Sequence, residues 1–320
     1  MKFAMSMAGL GARHYPEVAE AAEANGFDSV WMPEHLIFPV EMPPNYSYTP
    51  DGYPPMQSDT PAFDPFVVLG AVASRTTDIR LATGVFILPL RHPIAVARSV
   101  VTLDRISGGR VILGVGVGWL PDEFHIVGQD FHNRGRRTDE MIQLMRKLWT
   151  EDTIEFHGEF YDVPPVKFAP KPVNKQAGIP IIVGGTSPGA LRRAGRLGDG
   201  WIHHAQIHAS LFSGEPNPGI NEADFAELEG HLQVIGRHRQ EADRTQAPFE
   251  VVAGMGGTLD AALRCAEMGV TTYTVGPSAA GLRGTKDDFV EWAERFADEV
   301  ISNFGSGTSG QEADPRATAR

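Results

Sequence analysis

Residues 180–203 read PIIVGGTSPGALRRAGRLGDGWIH. Pro180 to Val183 is a short apolar run ending on two glycines. Pro188 to Leu197 has the length and opening of a helix, and Gly200 to His203 is a second short run. Two strands joined through one helix run parallel, because a tight hairpin would return the chain antiparallel. The same unit recurs on both sides. Upstream, strands are predicted at Lys2 to Met7, Asp28 to Met32, Ile79 to Leu88 and Arg110 to Val115, alternating with helices at His14 to Asn25, Asp64 to Arg75, Pro93 to Ile106 and Thr138 to Trp149. Downstream, a long helix from about Glu222 to Asp243 precedes a strand at Phe249 to Ala253 and a helix at Leu259 to Met268. A strand at Thr272 to Val275 and a helix at Lys286 to Ile301 complete the series. The punctuation agrees: Gly26 suits the residue after a helix, and Asp64 followed by Pro65 suits a helix start.

These are eight strand–helix pairs of about 38 residues each, the number that closes a parallel barrel with no open edge. The predicted fold class is α/β, a (β/α)8 TIM barrel with insertions. The rival, an open doubly wound sheet, needs a G-x-G-x-x-G turn after its first strand, and none stands there. Gly114-Val115-Gly116-Val117-Gly118 comes in mid-chain and lacks that spacing. One barrel domain is expected over residues 1–303, with a flexible Gly/Ser/Thr-rich tail over 304–320. Three excursions interrupt it, at about 34–63, about 150–178 and about 204–221, the second holding a small hairpin around His157-Gly158. The stretch from Pro33 to Pro65 holds nine prolines interleaved with Tyr46, Tyr48, Tyr53 and Phe63, a composition that reads as a packed lid.

The 320 residues are 42% hydrophobic, enough for a large core, yet no apolar run nears the ~18 residues of a membrane span. With 28 basic against 40 acidic residues, the net charge of −12 lacks the positive footprint of a nucleic-acid binder. The single cysteine, Cys265, precludes an internal disulfide and fits a reducing cytoplasm. The N-terminus turns polar and glycine-rich too soon for the apolar region of a signal peptide. The composition therefore predicts a cytoplasmic protein whose partner is a small molecule.

In a closed barrel the chemistry sits at the C-terminal ends of the strands. That rule gathers Glu34 and His35; Val85, Phe86 and Leu88 to Pro93; Gly114 to Trp119 with Asp122 and Glu123; Gly184 to Ser187; and His203-His204. Gly184, Gly185, Thr186 and Ser187 offer backbone N–H groups at a helix start, either to a phosphate or to a plain turn with Ser187 as N-cap. His35 is the acid/base candidate, since an imidazole titrates near neutrality, with a structural histidine as the rival reading. Glu34 stands beside it to pair with a base or orient a ligand. Trp31, Phe86 and Trp119 are candidates to wall a flat heteroaromatic ligand, or else core. No metal is expected: no H-E-x-x-H or cysteine cluster occurs, and adjacent His203 and His204 diverge on a strand. Cys265 falls in mid-helix and reads as an inert buried thiol. Arg110, Arg134, Arg136 and Arg137 are assigned to the surface.

The ordered series Leu88-Pro89-Leu90-Arg91-His92-Pro93, Thr102 to Arg110, Gly114 to Trp119, Glu123-Phe124 and Ile182-Val183-Gly184-Gly185 resembles the luciferase-like monooxygenase superfamily. Ser29 to His35, Arg134 to Glu140, Pro170-Lys171-Pro172 and Asp199-Gly200-Trp201 extend the match to about residues 1–300, nearest to the branch of oxidoreductases that use the deazaflavin coenzyme F420. The resemblance implies a barrel binding F420, or alternatively FMN, at its C-terminal mouth. It implies a non-prolyl cis peptide at Val85–Phe86 behind the ring, a proton-transferring His35 with Glu34 in place of an aspartate, and a phosphate turn over Gly184 to Ser187. Trp119 replaces the acidic residue of the sugar-phosphate dehydrogenases, which implies a more apolar pocket. Hydride transfer to an organic substrate is the expected reaction. The alternatives are an FMN monooxygenase served by a separate flavin reductase and a non-catalytic flavin-binding barrel. The superfamily often forms homodimers.

Overall fold

A computed structural model describes residues 1–49, 51–54, 56–203, 221–276 and 285–307. Its strands are β1 Lys2–Ser6, β2 Ser29–Met32, β3 Arg80–Thr83, β4 Phe86–Ile87, β5 Val111–Gly116, β6 Ile154–His157, β7 Asp162–Val166, β8 Ile181–Gly184, β9 Gly200–Ile202, β10 Glu250–Ala253 and β11 Thr272–Val275. The principal helices are α1 Tyr15–Ala24, α2 Pro65–Ala73, α3 Pro93–Ser107, α4 Pro121–Ile126, α5 Arg134–Thr150, α6 Pro188–Leu197, α7 Glu222–Glu241, α8 Leu259–Glu267 and α9 Lys286–Phe296. Hydrogen bonding runs β3-β2-β1-β11-β10-β9-β8-β5, and β3 pairs with β5 to shut the ring. All these pairs are parallel, so eight strands form the closed barrel expected.

The strand pleat sorts side chains in two directions. Ala4, Trp31, Ala82, Ile112, Ile182, Ile202 and Val252 meet inside the barrel, while their neighbours face the helices in a much larger outer core. Helix starts follow local chemistry. Asp64 Oδ1 accepts from the N–H groups of Phe66 and Val67 at 2.9 and 3.1 Å, with Pro65 where no donor is needed. Ser187 caps α6 the same way, accepting from Ala190. No helix among the described residues is long and apolar enough to cross a membrane.

Three expectations change. The single strand predicted over Ile79 to Leu88 is two, β3 and β4, separated by a non-prolyl cis peptide at Gly84–Val85 rather than at Val85–Phe86. The physical reason is room: a Cβ on residue 84 would lie 3.0 Å from the Trp31 ring, so the bulge turns on the glycine. Arg137 and Arg110 are not simple surface residues. Arg137 is 5% exposed and donates to the Pro89 carbonyl at 2.9 Å, and Arg110 donates to the carbonyls of Ala73, Thr76 and Ile79 behind α2. Hydrogen bonds from a buried guanidinium to backbone carbonyls offset its desolvation. At the C-terminal end, helix continues through Gly307, past the expected boundary at 303. Most of the predicted 204–221 loop, the end of the tail and His204 lie outside the described residues.

The hairpin β6–β7 is the excursion expected near His157-Gly158. It is pinned to α5 by the Glu140 carboxylate, which accepts from the N–H groups of Glu159, Phe160 and Tyr161.

Candidate active site

The segments after β2, β3, β5 and β8 are neighbours on the rim, because those four strands are consecutive around the barrel. Pro33 ends β2 and delivers Glu34 and His35. Pro121 opens the short helix α4, whose first turn carries Asp122 and Glu123, the favoured place for acidic side chains. From there Glu123 reaches back across the mouth. Its Oε2 lies 3.0 Å from His35 Nδ1, and its Oε1 accepts from the N–H of Leu36 at 2.8 Å and of Ile37 at 3.4 Å. The Glu123 side chain is fully buried and that of His35 is 12% exposed. A carboxylate only accepts, so this contact places the proton of a neutral imidazole on Nδ1. Sequence reading placed Glu123 on this rim and gave it no role; nothing local joins residues 88 positions apart.

Glu34 sits differently. Its Oε2 accepts from Ile87 N–H at 2.7 Å, and its Oε1 is ion-paired with the Arg91 guanidinium, which lies 4.6 Å from the Phe86 ring centroid. Burial pushes the Glu34 carboxyl up to about 7, against the lowering effects of Arg91 and the Ile87 N–H. Glu34 thus fastens β4 to the end of β2, one residue before the histidine.

The bulge separates its two residues. Val85 packs against the inner cluster, and a Cβ on Gly116 would come within 2.6 Å of its side chain. Gly114 is needed for the same close approach, since a Cβ there would meet the Thr83 carbonyl oxygen at 1.9 Å. Phe86 is 1% exposed and packs outward on Phe66, so the structure does not bring it to the mouth. Trp31 likewise fills the barrel interior.

The fourth wall is the turn after β8. Gly185 has φ +107°, a left-handed conformation that glycine adopts without penalty, and its carbonyl accepts from Trp201 Nε1 at 2.9 Å. Thr186 and Ser187 follow at the start of α6. Over this turn lies the lid. The Tyr48 hydroxyl hydrogen-bonds with the backbone and the side chain of Thr186, and sits 3.4 Å from where a Cβ on Gly185 would be. Ring edges continue the contact: Tyr48 to Tyr46 at 5.4 Å, Tyr46 to Trp119 at 5.0 Å, Trp119 to His35 at 5.8 Å and His35 to Phe38 at 4.7 Å between centroids. The lid therefore connects the predicted phosphate turn to the predicted acid/base histidine. Cys265, on the buried side of α8, takes no part, and burial pushes its thiol up to about 12.

Comparison with known proteins agrees with this architecture. The luciferase-like monooxygenase family model matches residues 2–213. An uncharacterised protein of Mycobacterium tuberculosis is 37% identical over 312 residues, covering 94% of this chain and 99% of its own. An F420-dependent glucose-6-phosphate dehydrogenase of Amycolatopsis mediterranei is 31% identical over 222 residues, 68% of this chain and 61% of that one. Among solved structures, the monooxygenase RslO1 from Streptomyces bottropensis superposes with a TM-score of 0.69 at 20% identity, over 95% of this chain and 100% of that one. The chain belongs to the luciferase-like monooxygenase family.

Proposed function

We propose that this protein is an oxidoreductase that passes hydride between coenzyme F420, seated at the barrel mouth, and an apolar organic substrate, with His35 moving the compensating proton. The observation that carries the reading is the His35–Glu123 pair, 3.0 Å apart, which joins the rim segments after β2 and β5. Members of the family are F420- or FMN-dependent oxidoreductases and monooxygenases, and the relative from Amycolatopsis is F420-dependent. The residues present fit such a group. The turn at Gly185–Thr186 already holds a polar group, the Tyr48 hydroxyl, in hydrogen bonds with Thr186.

Gly184, Gly185, Thr186 and Ser187 would hold the phosphate, the helix dipole of α6 favouring its charge. Val85 would back the ring. Bound there, a deazaflavin supplies a carbon centre that carries hydride and reacts poorly with oxygen. His35 gives or takes the proton at Nε2, and Glu123 keeps it in the tautomer and orientation to do so. Glu34 and Arg91 are assigned a positioning role, holding β4 and the chain leading into His35. Trp119, Tyr46 and Phe38 line the approach to the histidine with rings, which excludes water and favours an apolar substrate. That wall disfavours a sugar phosphate.

The test is a titration of the purified chain with F420 and with FMN. It is followed by oxidation of reduced F420 in the presence of a panel of apolar ketones, aldehydes and activated alkenes. Tight F420 binding and a loss of about 10²-fold or more in the chemical step for His35→Ala are expected. FMN binding without F420 binding replaces the reading by the monooxygenase that needs a reductase, and unchanged turnover in His35→Ala removes the catalytic role.

A further inference from the structure

The outer side of the barrel carries a second cluster that the proposed reaction does not use. His203 follows β9 directly. Because Ile202 points into the barrel and Trp201 into the outer core, the pleat sends His203 outward with Trp201. There it meets α7. Glu227 and His231 stand four residues apart on that helix, on one face. One ligand atom from each of His203, Glu227 and His231 lies within 4.8 Å of the other two. The two imidazole rings are 5.9 Å apart, and Trp201 lies against both, at 5.3 and 5.8 Å. His203 is 4% exposed, and Nδ1 of His231 is buried with no hydrogen-bond partner. A buried imidazole nitrogen left unpaired costs free energy that a bound cation would recover.

We propose that His203, Glu227 and His231 form a structural binding site for a divalent transition-metal ion of the zinc class. Two imidazoles and one carboxylate are a common nitrogen–oxygen set for that ion, with water completing the fourth position. Harder cations prefer all-oxygen sets, which the two histidines exclude. With bonds of about 2.0–2.1 Å, tetrahedral ligand atoms sit about 3.3 Å apart, so loading draws the first turns of α7 onto the end of β9. The ion would clamp the two chain segments that flank positions 204–220. The adjacent pair His203-His204 could not make such a site alone, and the missing ligands come from a helix that the sequence separates from them.

The experiment uses the full-length, tag-free chain, stripped with chelator and desalted. It is titrated with cobalt(II) by visible absorption and with zinc(II) by calorimetry and thermal unfolding. One equivalent of cobalt should bind with the intense absorption of a low-coordinate site, and zinc in about 100-fold excess over its Kd should raise Tm by about 5 °C. Glu227→Gln and His231→Gln should each weaken cobalt binding by more than about 100-fold, beyond the cost of losing a second-layer partner. Glu227 is 40% exposed, so its variant reports on binding even where a histidine variant unfolds. A folded, stripped chain that takes up no cobalt overturns the proposal, and so does stoichiometric binding that survives both substitutions.

Discussion

The rim of the barrel and the lid that crosses it meet at His35 and are held by different forces. On the rim, two glutamates each satisfy several donors at once: Glu123 those of His35, Leu36 and Ile37, Glu34 those of Ile87 and Arg91. Such buried side-chain bonds have narrow geometry and fix one arrangement. The lid relies on ring edges and on a few turn hydrogen bonds, such as Tyr46 N–H to the Gly52 carbonyl at 2.8 Å. Edge-to-face contacts are worth about 1 kcal/mol each and tolerate sliding. It also exposes Leu36, Ile37 and Val40, the last 91% accessible. The contrast assigns precision to the rim and adaptability to the lid, a division suited to one fixed cofactor and a substrate that must enter and leave.

The sharpest way to break that contrast is at Glu123. Glu123→Gln keeps an oxygen for Leu36 and Ile37 but no longer fixes the His35 proton. In the F420 assay kcat should fall about 10²-fold, approaching His35→Ala, while KM holds. Glu123→Asp should recover part of the rate. A fall in KM-dependent terms alone would mean that the carboxylate only shapes the pocket. Glu34 makes the next largest prediction, on stability. Its folded value, about 7, lies above the ordinary 4.5, so the fold favours the protonated acid. The stabilisation is fully present below pH 4.5 and is lost as pH rises through 7. At about 1.4 kcal/mol per pH unit, wild type should lose about 2 kcal/mol relative to Glu34→Gln between pH 5 and pH 7 by chemical denaturation. A variant less stable than wild type at pH 8 would make Arg91, not burial, the stronger influence.

How far the sequence revealed all this follows the same division. Helix α6 and strand β11 have the residue limits read from spacing and caps alone, because proline, a capping serine and flanking glycines act locally. The start of α5 was placed at Thr138 instead of Arg134, since a first turn of arginines and glycine carries no apolar period. The break in the third strand depends on the Trp31 ring behind Gly84, a contact between strands that no local pattern contains. His35, Gly116 and the turn after β8 were legible as rim positions from the barrel rule. The pairings of His35 with Glu123 and of Glu34 with Arg91 were not, as they join segments far apart in the chain. The lid was legible as a packed stretch of prolines and aromatics without period, and its contact with Thr186 is purely tertiary.

That contact offers the smallest and most discriminating prediction. In this structure the Tyr48 hydroxyl hydrogen-bonds with the backbone and side chain of Thr186, in the turn we propose for the phosphate. Burial pushes the phenol up, so it stays neutral and holds the turn by hydrogen bonds alone. A net worth of about 1 kcal/mol for such a bond makes it easy for a charged phosphate to displace. Tyr48→Phe removes the competitor while keeping the ring contact to Tyr46. Inorganic phosphate should then bind about fivefold more tightly by calorimetry, and amide exchange over residues 46–49 should quicken. If phosphate instead binds more weakly, the hydroxyl is a ligand that travels with the anion, and the lid belongs energetically to the rim.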